Sequence, residues 1–426
     1  MPDLSRRNVM LGAAGVLGAA ALVNRPGDRS GPRDPYFISL QNALTAANIA
    51  TPTLVIDRTR LNANIDTLKS HLPPGMGYRI VTKSLPSGRL IQHISNRAAT
   101  NRLMTFNQPM LNTLSTLMPD ADQLLGKPLP VAAARAYFDA LPPAQSAAAD
   151  TIQWLIDTPE RLRQYADLSS AIGRPFKINL ELDVGLHRGG FEPGPALKEV
   201  LDTIRASDTL TFAGFMGYEP HLPAVPETFG WRARAKKHAW SLYRDCLKIA
   251  ADVFGADAPD RLTRNAAGSP TYRYYVDTSI ANEISAGSCL VKPTHFDTDL
   301  LEPHLPASFI ATPVIKSFDE TRIPGLEFAD GVKRLWDPNL QRTVFIYGGH
   351  WLADPVDPPG LAYNPTFGRS SNQEMLNGGA QINLSPDEFA FFRPQQSEAV
   401  FLQFGDIAVY DDGAIVDRWA VFAASA

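Results

Sequence analysis

The chain has 426 residues, 44% of them hydrophobic and 20% charged, with a net charge of −4. That length holds two domains with full cores, and the near-neutral balance, with no Lys/Arg cluster, argues against a nucleic-acid or other polyanion partner. The two cysteines, Cys246 and Cys289, fit neither a metal knuckle nor a disulfide framework and read as buried or unpaired thiols.

Residues 1–34 are expected to lie outside the fold. Ser5-Arg6-Arg7-Asn8 leads into an apolar, Gly/Ala-rich run from Val9 to Val23, with small residues at Ala19-Ala20-Ala21. A basic start, a moderate apolar stretch and small residues make an export signal. The run is too short and too Gly/Ala-rich for a comfortable membrane span, so no stable span is expected once it is removed. The paired arginines resemble the twin-arginine type, which implies a periplasmic protein exported already folded. Val9-Met10 stands where Phe-Leu is commoner and no Lys follows, and an uncleaved anchor or a chance Arg-Arg is the alternative. Arg25 to Asp34 (RPGDRSGPRD) is a Pro/Gly/charged linker.

Thr53 to Asp57 (TLVID) is short, apolar and β-branched, hence a strand. Leu61, Ile65 and Leu68 recur at helical spacing over Arg60 to Leu72, and Pro73-Pro74-Gly75 ends that helix. Arg79 to Thr82 is the next strand, followed by Lys83 and a helix over Ser87 to Ser95. Strand signals continue at Arg102 to Phe106, Thr151 to Ile156, Phe176 to Leu182 and Leu210 to Phe215, with helical patterns between them such as Arg232 to Phe254. This alternation predicts a parallel sheet with covering helices, and its extent, residues 45–302, is the usual size of a (β/α)8 barrel.

After Pro303 short strands dominate: Ala307 to Ile315, Arg342 to Tyr347, Ala399 to Leu402, Ile407 to Tyr410 and Ala414 to Val421, the last two joined by the hairpin signal Asp411-Asp412-Gly413. Residues 303–426 are read as a separate C-terminal β-domain.

In a parallel barrel the chemistry sits at the C-terminal ends of the strands. Lys83 follows Arg79 to Thr82. His187 and Arg188 follow Phe176 to Asp183. Tyr218 and His221 follow Leu210 to Phe215. Gly268-Ser269-Pro270-Thr271 and Ser285-Ala286-Gly287-Ser288 are turns rich in small hydrogen-bond donors. Singly, each has an ordinary structural reading: a solvated lysine, an Asp-stabilised turn, a capped loop. Their order on successive strand ends is the informative feature.

That order resembles the alanine-racemase-type (fold III) pyridoxal-phosphate (PLP) enzymes, and within them the D-threonine aldolase / D-serine dehydratase-like branch. The resemblance is carried by TPTLVID, VTKS, LDVGLHRGGF, GFMGYEPH and ANEISAGS. It implies that Lys83 holds PLP as a Schiff base and works as acid or base at the substrate's Cα. It implies that Arg188 lies near the cofactor's phenolic oxygen, and that Gly268, Ser269, Thr271, Gly287 and Ser288 bind its phosphate. Tyr218 and His221 would line the substrate face, His221 as a second acid/base group. Glu283 would meet either the pyridine side or the phosphate loop. Oligomeric state follows only from the resemblance, which implies a homodimer.

The pattern also departs from the family. Thr82 stands where the aldolase branch carries His before the lysine, and Ser285 where Arg is common. The aldolases and dehydratases bind a divalent metal through a C-terminal His-x-Cys or His-x-Asp segment. The comparable stretch here, FLQFGDIAVYDDGAIVDRWAVF, has no His and no Cys, and Asp411, Asp412 and Asp417 read as turn and surface residues, so no metal ligand is assigned. His350 reads equally as a replacement acid/base group or a structural histidine. The expected function is a PLP-dependent lyase on a small amino acid, with a β-hydroxy D-amino acid as the expected substrate, cleaved between Cα and Cβ or losing its β-substituent. The alternatives are a racemase or epimerase of the same fold and a PLP-binding protein without turnover.

Overall fold

The computed structural model describes residues 25–423 apart from 323, 324 and 326; the expected export signal, over residues 1–24, lies outside the described residues. The described chain forms two compact units. One comprises Leu54–Ser308, Gln395–Asp411 and residues 416–423. The other comprises Phe309–Pro394 and Asp412–Ile415 with the residues up to Thr53.

In the first unit eight parallel strands close into a barrel in chain order: β2 (Gly77–Val81), β3 (Arg102–Thr105), β4 (Asp122–Leu125), β5 (Ile152–Ile156), β6 (Phe176–Leu182), β7 (Leu210–Gly217), β8 (Thr263–Ala266) and β9 (Glu283–Ala286), with β9 returning to pair with β2. The (β/α)8 expectation is met. The opening strand β1 (Thr53–Asp57) is not a stave of the barrel; it pairs in parallel with Ile407–Asp411, Val55 opposite Ala408. Three staves, β4, β8 and β9, carry no long apolar run, and the strand pattern alone did not single them out.

Local chemistry sets the covering helices. The Asp57 side chain caps the Arg58–His71 helix by accepting from the Arg60 amide at 2.9 Å. Thr158 caps Pro159–Ile172 in the same way, and Gly173, at φ +70°, ends it. Tyr137, Trp154, Tyr165 and Phe176 form one aromatic cluster of the buried core.

A buried polar belt links six of the staves across the barrel interior. Arg79, fully buried, donates to Glu283 Oε1 at 2.6 Å and to Asp122 Oδ2 at 3.1 Å. Asn265 donates to Glu283 at 2.8 Å, Gln153 to Asp122 at 3.0 Å and Asn179 to Gln153 at 3.0 Å. Burying Arg79 is tolerable only because these acceptors surround its guanidinium. Such a network serves stability, whereas chemistry sits at the C-terminal ends of the strands.

The second unit is mainly antiparallel sheet. Ser308–Phe318 pairs with Arg342–Tyr347 and with Phe389–Pro394, and Gln373–Gly378 adds to Arg342–Tyr347. One expected strand fails: Ala399–Leu402 is helical, the end of a short helix Ser397–Val400 continuing into a 3-10 turn Phe401–Gln403. A four-residue apolar run does not distinguish a buried strand from a buried helical turn. No helix of the described residues is long and apolar enough to cross a membrane. Both cysteines are buried and free, as expected.

Candidate active site

Strand β2 ends at Val81 and the chain tightens into a 3-10 turn over Thr82–Ser84. Thr82 is buried and its hydroxyl donates to the Met104 carbonyl of β3 at 2.7 Å, which pins the turn. Lys83 is thereby held at the C-terminal mouth of the barrel, its side chain about half exposed (47%) in a cavity. Its Nζ lies 3.4 Å from Glu398 Oε1 and 5.2 Å from the centre of the Phe106 ring. Glu398 comes from the short helix Ser397–Val400 and accepts from Ser84 Oγ at 2.6 Å; Ser288 Oγ is 3.0 Å from Ser84 Oγ. Burial works to raise the Glu398 carboxyl, but the Lys83 charge and the Ser84 hydroxyl hold it below its ordinary value.

Arg188 reaches the cavity from the loop after β6. That loop is shaped by Asp183, whose carboxylate accepts from the amides of Gly185 at 2.9 Å and His187 at 3.0 Å and from the His187 ring at 3.0 Å. These bonds outweigh burial and hold Asp183 below the usual carboxylate range. Phe191 closes the loop by donating to the Glu181 carbonyl at 2.8 Å. Arg188 donates to Glu181 at 3.0 Å and lies 5.3 Å from the centre of the Tyr218 ring. Burial, aided by the nearby Glu219 charge, pushes the Tyr218 hydroxyl up to about 12.

Two turns form the far wall. A Cβ at Gly268 would stand 2.5 Å from Tyr218 Cε2, and one at Gly287 would stand 2.6 Å from the Val81 carbonyl, so both positions require glycine for close approach. Ser269 Oγ ties the turns together, accepting from the amides of Gly287 at 3.1 Å and Cys289 at 3.0 Å. The buried amides of Ser269 and Ser288 have no hydrogen-bond partner among the described residues. Two such amides at the mouth of one cavity are suited to an anion. Behind this wall Glu219 is buried; it accepts from Thr271 Oγ1 at 2.6 Å and bonds to Tyr275, and burial pushes its carboxyl up to about 7.

Lys83, Arg188, Tyr218, Gly268, Ser269, Gly287 and Ser288 thus line one cavity, together with Ser285. Three other expected site residues do not line it. Glu283 stands at the start of β9, where Arg79 and Asn265 occupy its carboxylate, so it faces neither the pyridine side nor the phosphate loop. The Thr271 hydroxyl is engaged by Glu219 and by the Gly268 amide, and it braces the turn from behind. His221 packs beside Gly185, its Nε2 3.6 Å from where a Cβ would stand there; its Nδ1 is buried without a partner, and burial, with the His187 charge, lowers it. His350 belongs to the second unit and is exposed, with its backbone amide on Glu374 at 2.7 Å.

Glu398 and Phe106 escaped the motif reading, whereas Ser84 and Glu219 stand inside VTKS and GFMGYEPH without having been given a role. Glu398 carries no motif, and the strand assigned to its neighbours concealed it.

For a metal, the lining offers the Glu398 carboxylate but no His or Cys among the described residues. Asp183, His187 and Glu192 bring ligand atoms within 4.8 Å of one another, but this group does not line the cavity and its Asp183 is already engaged by backbone amides. Asp411 pairs with Arg58, and Asp417 pairs with Arg89 at 2.7 Å.

The family described as alanine racemase, N-terminal domain, matches residues 56–294, more than half of the chain. Among solved structures, D-threonine aldolase from Filomicrobium marinum aligns with a TM-score of 0.69 at 18% identity, covering 88% of this chain and 95% of that one. D-threo-3-hydroxyaspartate dehydratase from Delftia sp. HT23 aligns at 0.67 and 14%, covering 88% and 98%. An alanine racemase from Clostridium difficile 630 aligns at 0.64 and 12%, covering 87% and 98%. At these identities the likeness is one of fold. No curated protein sequence matches the chain.

Proposed function

Because this chain belongs to the alanine racemase N-terminal domain family, whose members bind pyridoxal phosphate, we propose that it is a PLP-dependent lyase acting on a small amino acid. A β-hydroxy D-amino acid, cleaved between Cα and Cβ or losing its β-hydroxyl, is the substrate class we favour. The observation that carries the proposal is the placement of Lys83 at the end of β2, in one cavity with the unpartnered Ser269 and Ser288 amides. The lining fits the cofactor. Lys83 would bind it covalently; Ser269 and Ser288, with glycines that let backbone approach closely, would hold its phosphate; Arg188 and Tyr218 would lie alongside. When bound, PLP supplies an electron sink for negative charge at the substrate's Cα.

The chain's own residues supply positioning and proton transfer. In β-elimination Lys83 takes the Cα proton and passes it to the departing hydroxyl, which leaves as water; in Cα–Cβ cleavage it takes the β-hydroxyl proton as the carbon–carbon bond breaks and delivers it to Cα. Tyr218 lines the substrate side and is held as a neutral hydroxyl, able to donate to a developing oxyanion. Met104, Phe106 and Phe296 provide apolar wall that limits water around the reacting atoms. His221, outside the lining, receives no role here. No step is routed through a metal, since the donor set of the cavity does not make a metal site. A homodimer and a periplasmic placement by export of the loaded protein belong to the same proposal, supported by the family resemblance and by Arg6-Arg7 respectively.

The test is the visible spectrum before and after borohydride reduction, beside Lys83→Ala. A band that reduction fixes onto the Lys83 peptide, absent in the variant, is expected. A panel of D- and L-3-hydroxy amino acids is then scored for aldehyde, oxo acid or inverted enantiomer. Aldehyde or oxo acid supports the lyase. Inversion alone replaces it with a racemase. No band with added PLP overturns both.

A further inference from the structure

Resting on that reading, we propose that Glu398 is the counter-ion of Lys83 and a positioning residue that makes this lysine an effective base. Three observations carry it. The Lys83 Nζ to Glu398 Oε1 distance is 3.4 Å. The same oxygen accepts from Ser84 Oγ at 2.6 Å, and Ser84 Oγ in turn accepts from Ser288 Oγ at 3.0 Å, so a chain of two serine hydroxyls from different loops fixes the carboxylate. Its helix is anchored by Ser397 and Val400, both fully buried, which limits how far Glu398 can swing away.

The charges of the cavity pair off. Its cations are Lys83 and Arg188. Arg188 is met by Glu181 at 3.0 Å, and Lys83 is met by Glu398, the acid among the described lining residues. Neither carboxylate can substitute for the other, because each is tied to its own cation.

This pairing has a definite use at the proton-transfer step. Lys83, displaced by substrate, is a neutral amine. In β-elimination the Cα–H bond breaks and its electron pair stays with the substrate carbon; in Cα–Cβ cleavage it is the O–H bond of the β-hydroxyl that breaks. The proton forms a new N–H bond with the lysine lone pair, giving an ammonium. That positive charge appears beside a carboxylate already in place, so little reorganisation accompanies its formation. Glu398 takes no proton itself; it favours the protonated product and fixes where the amine points.

Lys83 reactivity gives a readout that needs no cofactor. In cofactor-free protein, the rate at which an amine-acylating reagent modifies Lys83 at one mildly alkaline pH is followed by peptide mass mapping, with Lys236 as internal reference. Removing the anion in Glu398→Gln frees the Lys83 amine from its ion pair, so its labelling is expected to rise roughly 3- to 10-fold while Lys236 is unchanged. Glu398→Asp keeps the charge but draws it back by one carbon, and falls between. In the loaded enzyme, E398Q is expected to lower kcat by about 10- to 100-fold with KM little changed. Unchanged or slower Lys83 labelling in both variants overturns the proposal. Because the labelling needs no PLP, it is read even if the cofactor assignment fails; a normal borohydride-fixed band with unaltered labelling would sink the role of Glu398 alone.

Discussion

Glu219 shows what one buried carboxyl does to the pH response of the molecule. Its ordinary value is 4.5 and burial raises it to about 7 in the folded chain. Between those values the unfolded chain has released the proton and the folded one still holds it. The stabilisation is therefore full below about 4.5, declines as pH rises, and is gone by about 7. The span is on the order of 3 kcal/mol. Chemical denaturation at stepped pH should show the wild type losing stability across this window and Glu219→Gln losing markedly less; parallel curves would refute it. At this scale the sequence spoke unevenly. Lys83, Arg188 and Tyr218 were legible because each closes a strand within a local motif. Glu283 and His221 were named but misplaced, since a motif gives a residue's neighbours and not the face its side chain takes.

The loop between β6 and the Pro195–Ala206 helix is the element on which the cavity most depends. Asp183 holds it through two backbone amides and the His187 ring, and the loop in turn delivers Arg188. Asp183→Ala removes all three bonds at once. Activity, kcat/KM, is expected to fall by roughly 10- to 100-fold through misplacement of Arg188. Unfolding should shift much less, because the lost bonds lie within the loop while its buried anchors, Val184 and Phe191, are kept. A large loss of stability with normal kcat/KM would contradict that division. The Asp-x-Gly-x-x-Arg spacing made the loop readable in advance. Helical Ser397–Val400 was not readable, because its apolar residues are too few to show a period.

Across the whole molecule, the interior of the barrel and its C-terminal mouth divide their work. The Arg79 belt crosses the barrel interior, and the C-terminal ends of the staves carry Lys83 and its surroundings. Glu283→Ala leaves Arg79 buried beside a lost partner, so equilibrium unfolding should show a loss of about 3–5 kcal/mol. Whatever folded protein remains should still take the cofactor, since Glu283 lies outside the cavity lining; folded protein without cofactor uptake would place the belt in the site after all. The alternation of strand and helix signals sufficed to predict the closed barrel. It did not reveal that residues from the far end of the chain return to complete the same unit.

That return has a consequence for the order of events during translation. The ribosome delivers Lys83 early and Glu398 only after more than three hundred further residues, and β1 must await Ile407–Asp411 to gain its parallel neighbour. A nascent chain halted after the barrel staves presents a lysine with no carboxylate beside it and an opening strand whose neighbouring strands have not yet been made. Completion of the cavity that holds Lys83 therefore waits on the last tenth of the polypeptide, and a C-terminal truncation that removes Glu398 is expected to leave Lys83 without its carboxylate.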